Sequence, residues 1–305
     1  MNEVPEEIQA LVRDREQARG AGDFARADAL RDRIREAGFE VTDADSGPVL
    51  AARDVVAEET SDRPSFSRAE DVPSLLHRPA AFGVSVQWVV EGWSEDVRRG
   101  IDAFDRRCPG WSVQHVLVDL APDGPGAWPA HADVVRMTPG AGWAVARNAG
   151  LRRTSASVVV LVDGSIEPTG DVLSPLAEAL ADPGVGLTGP FGIVSDDLRD
   201  FRASEGPDVD AVEGYLIALR RELLERGLRF DEKFKFYRTA DIELSFQVKA
   251  MGLRTTVTPV PVRKHEHRMW ANTPEEERTR LSKRNFYRFL DRWRGRTDLL
   301  VSKGP

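Results

Sequence analysis

The fold class this sequence predicts is α/β, a mostly parallel mixed sheet crossed by helices, with a small helical hairpin at its N-terminus. Three observations carry that prediction. From residue 82 onward, short β-prone runs alternate with helical stretches, the pattern of strands joined through helices rather than of consecutive hairpins. The run Val158-Val159-Val160-Leu161-Val162 is apolar without alternation, so both its faces are covered, as in a central parallel strand. Residues 5–37 instead repeat apolar side chains at helical spacing.

In the hairpin, Ile8, Leu11 and Val12 share one face of a first helix, and Phe24, Ala27, Leu30 and Ile34 share one face of a second. Gly20-Ala21-Gly22-Asp23 separates them; glycines end the first helix, Asp23 caps the second, and Gly38 stops it before the extended Phe39-Glu40-Val41. Residues 1–50 form this domain. Periodicity is lost over 51–80, where Ser61-Asp62-Arg63-Pro64-Ser65 and Val72-Pro73-Ser74 read as linker. Residues 81–305 form the α/β domain, with strands expected at Val84 to Val90, Gln114 to Asp119, Ala132 to Arg136, Val158 to Val162, Val185 to Thr188, Tyr215 to Leu219 and Leu253 to Val257. A last helix, Pro274 to Arg294, sets Phe286, Phe289, Leu290 and Trp293 at helical spacing for docking, among arginines that are either a solvated face or attract a phosphorylated or lipid-linked group at a membrane surface.

Composition narrows the class. Of 305 residues, 41% are hydrophobic and 30% charged, enough to bury a full core and unlike a disordered chain. A net charge of −8 argues against bulk attraction to nucleic acid or anionic lipid. The single cysteine, Cys108, forms no intrachain disulfide, and neither a secretory signal nor a spanning apolar run is seen. The expectation is a cytoplasmic protein, peripheral to the inner face of the membrane where it touches it at all.

Ligands in open α/β sheets bind beyond the carboxyl ends of the strands, and there stand Asp119, after Gln114 to Val118, and Asp163, after Val158 to Val162. Gly142-Trp143-Ala144-Val145-Ala146-Arg147-Asn148-Ala149-Gly150 follows as a glycine-led helix whose free N–H groups suit a diphosphate. Further on come Glu213-Gly214 to Glu222, Phe230-Asp231-Glu232-Lys233-Phe234, Ala240-Asp241-Ile242-Glu243-Leu244, and a late cluster containing His265 and His267.

In order and spacing, residues 82–270 resemble the family 2 glycosyltransferases, which have the GT-A nucleotide-sugar-binding fold. The glycine-led helix is similar to that family's G-x-x-x-A-R-N-x-G segment, and the later run to its R-R-E, F-D-E-x-F and E-D-x-(D/E)-L motifs. The resemblance implies an inverting transferase in polysaccharide biosynthesis that takes a nucleoside-diphosphate sugar as donor and a carbohydrate, lipid-linked or small-molecule hydroxyl as acceptor. It assigns Asp241 as general base, Asp119, Gly142, Arg147, Asn148 and Asp163 to the nucleotide sugar, and Asp163 with His265 or His267 to a divalent cation, Mn2+ or Mg2+. Two departures stand out: Asp163-Gly164-Ser165 lacks the second carboxylate of the usual metal pair, and Ala240 replaces the carboxylate before Asp241. They leave a second reading open, a nucleotide-sugar-binding or protein-docking module with impaired turnover.

Arg13 to Arg19, Asp23 to Asp32 and Gly38 to Asp43 resemble the C-terminal helical hairpin of bacterial cysteinyl-tRNA synthetases. That enzyme's catalytic and zinc motifs are absent, so no aminoacylation is implied. Mixed charge without a basic stripe favours packing or docking over nucleic acid.

Overall fold

The computed structural model describes residues 6–21, 23, 26, 27, 30, 31, 33, 34, 39–44, 47–52, 64–121 and 128–303. The chain divides into two compact units, Met1–Thr60 with Ala127–His131, and Ser61–Gly126 with Ala132–Pro305.

In the smaller unit, helix α1 is Glu6–Gly20, and strands β1 (Phe39–Ala44) and β2 (Gly47–Ala52) pair antiparallel with Phe39 opposite Ala52. Ile8, Ile34 and Val41 form one apolar cluster, and Ala18, Ala27 and Leu30 another, so the helical spacing read from the sequence does set the core. Residues 26, 27, 30, 31, 33 and 34 of the expected second helix are helical; Phe24 and the stop signal Gly38 lie outside the described residues. Strand β2, which the sequence did not suggest, carries the sheet into residues 51 and 52.

The stretch expected to link the units also contributes to the larger one. Ser65–Phe66 is strand β3 and Ala69–Asp71 a 3-10 turn, and Ala69 and Val72 are buried with Val118, Val135 and Val145. Of the expected linker, residues 53–63 lie outside the described residues.

The larger unit continues with β4 (Phe82–Val90), α2 (Ser94–Arg107), β5 (Val113–Asp119), β6 (Ala132–Met137), α3 (Trp143–Arg152), β7 (Ala156–Val162), β8 (Ile166–Pro168), α4 (Leu173–Ala181) and β9 (Val185–Gly189). Then come β10 (Gly192–Ser195), β11 (Phe201–Ser204), β12 (Asp208–Val209), β13 (Ala211–Val212), β14 (Leu216–Arg220), α5 (Glu222–Glu225), α6 (Ala240–Ala250), β15 (Arg254–Val257), β16 (Val262–Lys264), α7 (Arg268–Asn272) and α8 (Glu275–Trp293). Among the described residues, nine strands make one sheet in the order β12-β15-β9-β14-β7-β4-β5-β6-β3. Strands β3 to β7 run parallel, and β14 lies antiparallel between β7 and β9. All seven strands expected from the sequence are present, and β7 is interior to the sheet, as its unbroken apolar run requires.

The last helix docks as expected, through Phe289 and Trp293 against Phe246. Two of its arginines hold carboxylates: Arg288 binds Asp231 and the exposed Arg292 binds the buried Glu243, at 2.6 Å each. Buried Asn285 donates to the carbonyls of Phe236 and Arg238 at 2.7 and 2.8 Å.

Candidate active site

Because β7, β4 and β5 are adjacent and parallel, the residues at or just past their carboxyl ends reach one edge of the sheet: Asp163, Glu91 and Asp119. Strand β14 runs the other way, so Glu213, Gly214 and Tyr215 enter at that same edge, and Tyr215 O accepts the Asp163 N–H at 2.9 Å. Here a pocket of about 170 Å³ is lined by Asp163, Asp241, Arg147, Glu213, Arg238 and His267, with Trp143, Tyr215 and Tyr237 as aromatic walls. Asp163 and Asp241, far apart in sequence, thus share one cavity.

Asp163 Oδ2 lies 3.3 Å from His267 Nε2, while its Oδ1 accepts from the Ser165 N–H and Oγ at 2.9 and 2.5 Å. Burial pushes this carboxyl up, but His267 and the Ser165 donors outweigh it and hold it below its ordinary range. Ser165, where a second carboxylate was looked for, acts as an anchor for the first. His267 caps α7, its Nδ1 accepting the Trp270 N–H at 3.2 Å; with Nδ1 so engaged, the neutral ring carries its proton on Nε2, toward Asp163. The ring stacks on Tyr237, centroids 4.5 Å apart.

The two histidines do not share a site. His265 Nε2 lies 2.6 Å from Glu167 Oε2, and its backbone is tied to Ser165 O. An extended strand would have put both rings on one side, but the chain turns at His267 to start α7, so only His267 reaches Asp163.

Asp241 opens α6, after Thr239 in left-handed conformation (φ 71°), a costly geometry for a β-branched residue next to the Arg238 carbonyl that Asn285 holds. The Gly214 N–H binds Asp241 Oδ2 at 2.8 Å and the Ile242 N–H binds Oδ1 at 2.9 Å. Gly214 permits this approach, since a Cβ there would stand 3.3 Å from Asp241 Cβ. Burial raises the Asp241 carboxyl above its ordinary value, against the two N–H donors and Arg238. Ala240 faces the apolar core with Leu244 and Phe246.

The other residues singled out from the sequence hold the frame. Arg147 spends its guanidinium on the Gln87 carbonyl and side chain (3.1 and 3.2 Å) and the Val162 carbonyl (3.0 Å), bracing the ends of β4 and β7. Burial lowers it to about 10, against the support of Asp163 and Glu91. Asn148 is committed elsewhere: its Nδ2 donates to Phe230 O (2.9 Å) and Glu232 Oε1 (3.1 Å), and its Oδ1 accepts the Phe230 N–H (2.9 Å), pinning the 230–232 segment. Gly142, at φ 98°, precedes α3 in a conformation that favours glycine. Asp119, buried at the end of β5, accepts the Ala121 N–H at 2.9 Å; Asp119, Gly142 and Asn148 do not line the pocket.

The sequence reading passed over Glu91, Glu213, Arg238 and Tyr237. Glu91 follows β4 as Asp119 and Asp163 follow their strands, so the same rule would have found it. Burial pushes its carboxyl up to about 7, with Arg147 opposing and Asp163 adding to the rise.

Residues 1–47 match the family described as the cysteinyl-tRNA ligase anticodon binding domain. There the chain is 44% identical over 46 residues to cysteine--tRNA ligase of Chlamydia caviae, and 50% identical over 44 residues to that of Exiguobacterium sibiricum. These matches cover 15% and 14% of this chain, which spans about a tenth (10%) of the length of each ligase. Among solved structures, GalNAc-T7 with UDP, GalNAc and Mn2+ superposes with a TM-score of 0.56 at 16% identity, over 77% of this chain and 56% of that one. Mannosyltransferase PcManGT from Pyrobaculum calidifontis, in complex with GDP-Man and Mn2+, has a TM-score of 0.48 at 21% identity, over 68% and 63%. The GalNAc-T7 likeness shows the fold, GT-A, as expected from the sequence.

Proposed function

We propose that this chain, built on the GT-A glycosyltransferase fold, is an inverting glycosyltransferase that moves a sugar from a nucleoside-diphosphate sugar to an acceptor hydroxyl. The observation that carries the reading is the pocket at the carboxyl ends of the sheet, with Asp163 and His267 together and Asp241 on the same cavity. Superposition on a protein solved with UDP, GalNAc and Mn2+ supports the donor class.

Asp163 Oδ2 and His267 Nε2, 3.3 Å apart in the pocket, would hold a divalent cation such as Mn2+ or Mg2+ once the ring takes its other tautomer, with the proton on Nδ1 and the Trp270 N–H released, and phosphate oxygens and waters would fill the remaining positions. When bound, the cation supplies positive charge to the departing diphosphate. Asp241 takes the proton of the acceptor hydroxyl as its oxygen bonds to the anomeric carbon; the bond to the donor phosphate breaks, and its electron pair leaves with the diphosphate. The raised Asp241 carboxyl makes a stronger base than an ordinary aspartate, and the two backbone donors fix its direction. In this reading Arg147 and Asn148 serve by positioning, and Asp119 and the Gly142 turn, outside the pocket lining, are assigned to the nucleotide.

Residues 1–50 are a docking module in this reading, 51–80 the connection, and 81–305 the transferase. Among the described residues no helix is long and apolar enough to cross a membrane; the exposed Arg280, Lys283 and Arg284 of α8 suit peripheral contact when the acceptor is lipid-linked. The test is nucleoside-diphosphate release across UDP- and GDP-sugars, with and without Mn2+, in parent and Asp241→Asn. Donor binding without turnover in the parent would favour the alternative, a nucleotide-sugar-binding module.

A further inference from the structure

Glu213 faces the same pocket as Asp241 and does nothing in the mechanism above. Among the described residues its carboxylate has no hydrogen-bond or ion-pair partner; it has only the longer-range influence of Asp241, Lys264 and Arg238. It is nonetheless half-buried, and burial, then the Asp241 charge, raises it above its ordinary value. Its oxygens open into the pocket, so a ligand that displaces water from them must supply donors in its place.

The surroundings define that ligand. Asp241 and Glu213 are joined through one turn, because the residue after Glu213 is the Gly214 whose N–H holds Asp241. Each Asp241 oxygen already accepts one backbone N–H, so Asp241 is set for the reacting hydroxyl and a second donor falls to Glu213. A cationic donor is disfavoured, since Lys264 sits over the Tyr215 ring at 3.3 Å and Arg238 lines the pocket. Tyr215, Tyr237 and Trp143 line the pocket; Lys264 covers one face of Tyr215 and His267 one face of Tyr237, and the aromatic surface left toward the cavity suits the polarised C–H face of a sugar ring. Position 240 is turned into the apolar core, which leaves Glu213 as the pocket's second acceptor-side carboxylate.

We infer that Glu213 selects the acceptor by binding a second hydroxyl beside the one Asp241 deprotonates, so that the acceptor is a neutral sugar ring bearing a diol rather than an isolated alcohol such as a serine side chain. The inference rests on the transferase reading. Its test uses the full chain with Mn2+ and whichever UDP- or GDP-sugar gives the fastest nucleoside-diphosphate release. Methyl hexopyranosides, their monodeoxy derivatives and N-acetylserine methylamide are compared as acceptors in the parent, Glu213→Gln and Glu213→Ala.

The expected result is that methyl hexopyranosides are used in preference to the serine compound, and that both variants lower the ratio of transfer to donor hydrolysis about tenfold, the size of one hydrogen bond to a charged group. One monodeoxy acceptor then costs the parent about tenfold and the variants nothing further. An unchanged ratio in variants that melt like the parent overturns the inference, as does preference for the serine compound, or an equal loss in hydrolysis, which would make Glu213 a donor contact. If the parent releases nucleoside diphosphate from no donor, the transferase reading fails and this inference with it.

Discussion

Replacing Glu91 by Gln is expected to stabilise the protein, and only at neutral pH and above. In the folded chain the Glu91 carboxyl is raised from 4.5 to about 7 by burial; unfolded, it returns to its ordinary value. Below pH 4.5 both states carry the proton and the side chain exerts no pH-dependent cost. As pH rises toward 7 the unfolded chain ionises first, and stability is progressively lost; above 7 the folded protein holds a buried anion at its full cost. A difference of about 2.5 pH units corresponds to about 3 kcal/mol. The attraction of Arg147 is already contained in that shift. Glutamine keeps the shape without the charge, so urea unfolding should give parent and variant equal stability near pH 4 and a variant more stable by up to about 3 kcal/mol at pH 8. A variant no more stable than the parent at pH 8, or a gain equal at both pH values, would refute the assignment of a buried, raised carboxyl.

Asp241→Asn should lower turnover by at least about 10²-fold while nucleoside-diphosphate affinity, read by calorimetry, stays within about twofold. The parent's rate should rise with pH along a limb lying above the ordinary aspartate range, because burial raises Asp241; a limb at or below that range would contradict it. His267→Ala should weaken Mn2+ binding at least about tenfold, read by titration with Mn2+ in parent and variant; equal affinity would remove His267 from the cation site. Asn148→Ala removes three hydrogen bonds, two of them to the Phe230 backbone, and should cost about 2–4 kcal/mol in unfolding; a loss confined to nucleotide affinity would return Asn148 to ligand binding.

The long elements were legible because burial imposes a period. Val158 to Val162 was the best candidate for an interior strand, which β7 is, and α8 showed its docking face in Phe289 and Trp293. Strands β8, β10 to β13 and β16, of two to four residues, are too short for a period to register, and they are defined only by their pairing, β8 with β16, β10 with β11 and β13, and β12 with β15. In the site, the strand-end rule located Asp119 and Asp163, and would have located Glu91. What letters cannot distinguish is a polar side chain aimed at a ligand from one aimed at a backbone: Arg147 and Asn148 proved to be committed to carbonyls and N–H groups. His265 and His267 parted because two-residue spacing implies a common side only while the chain stays extended, and a helix cap intervened. Glu213 was hidden for the converse reason, since its importance comes from the partners it lacks.

Helix α8 grips the segment that carries Tyr237, Arg238 and Asp241 at three successive points, Asn285 on the carbonyls of residues 236 and 238, Arg288 on Asp231 and Arg292 on Glu243. Such a buttress leaves the stretch from 231 to 243 little freedom to swing aside between catalytic cycles. Any change in the cavity's shape is thereby left to its other lining residues, Ile193, Phe201 and His267 among them.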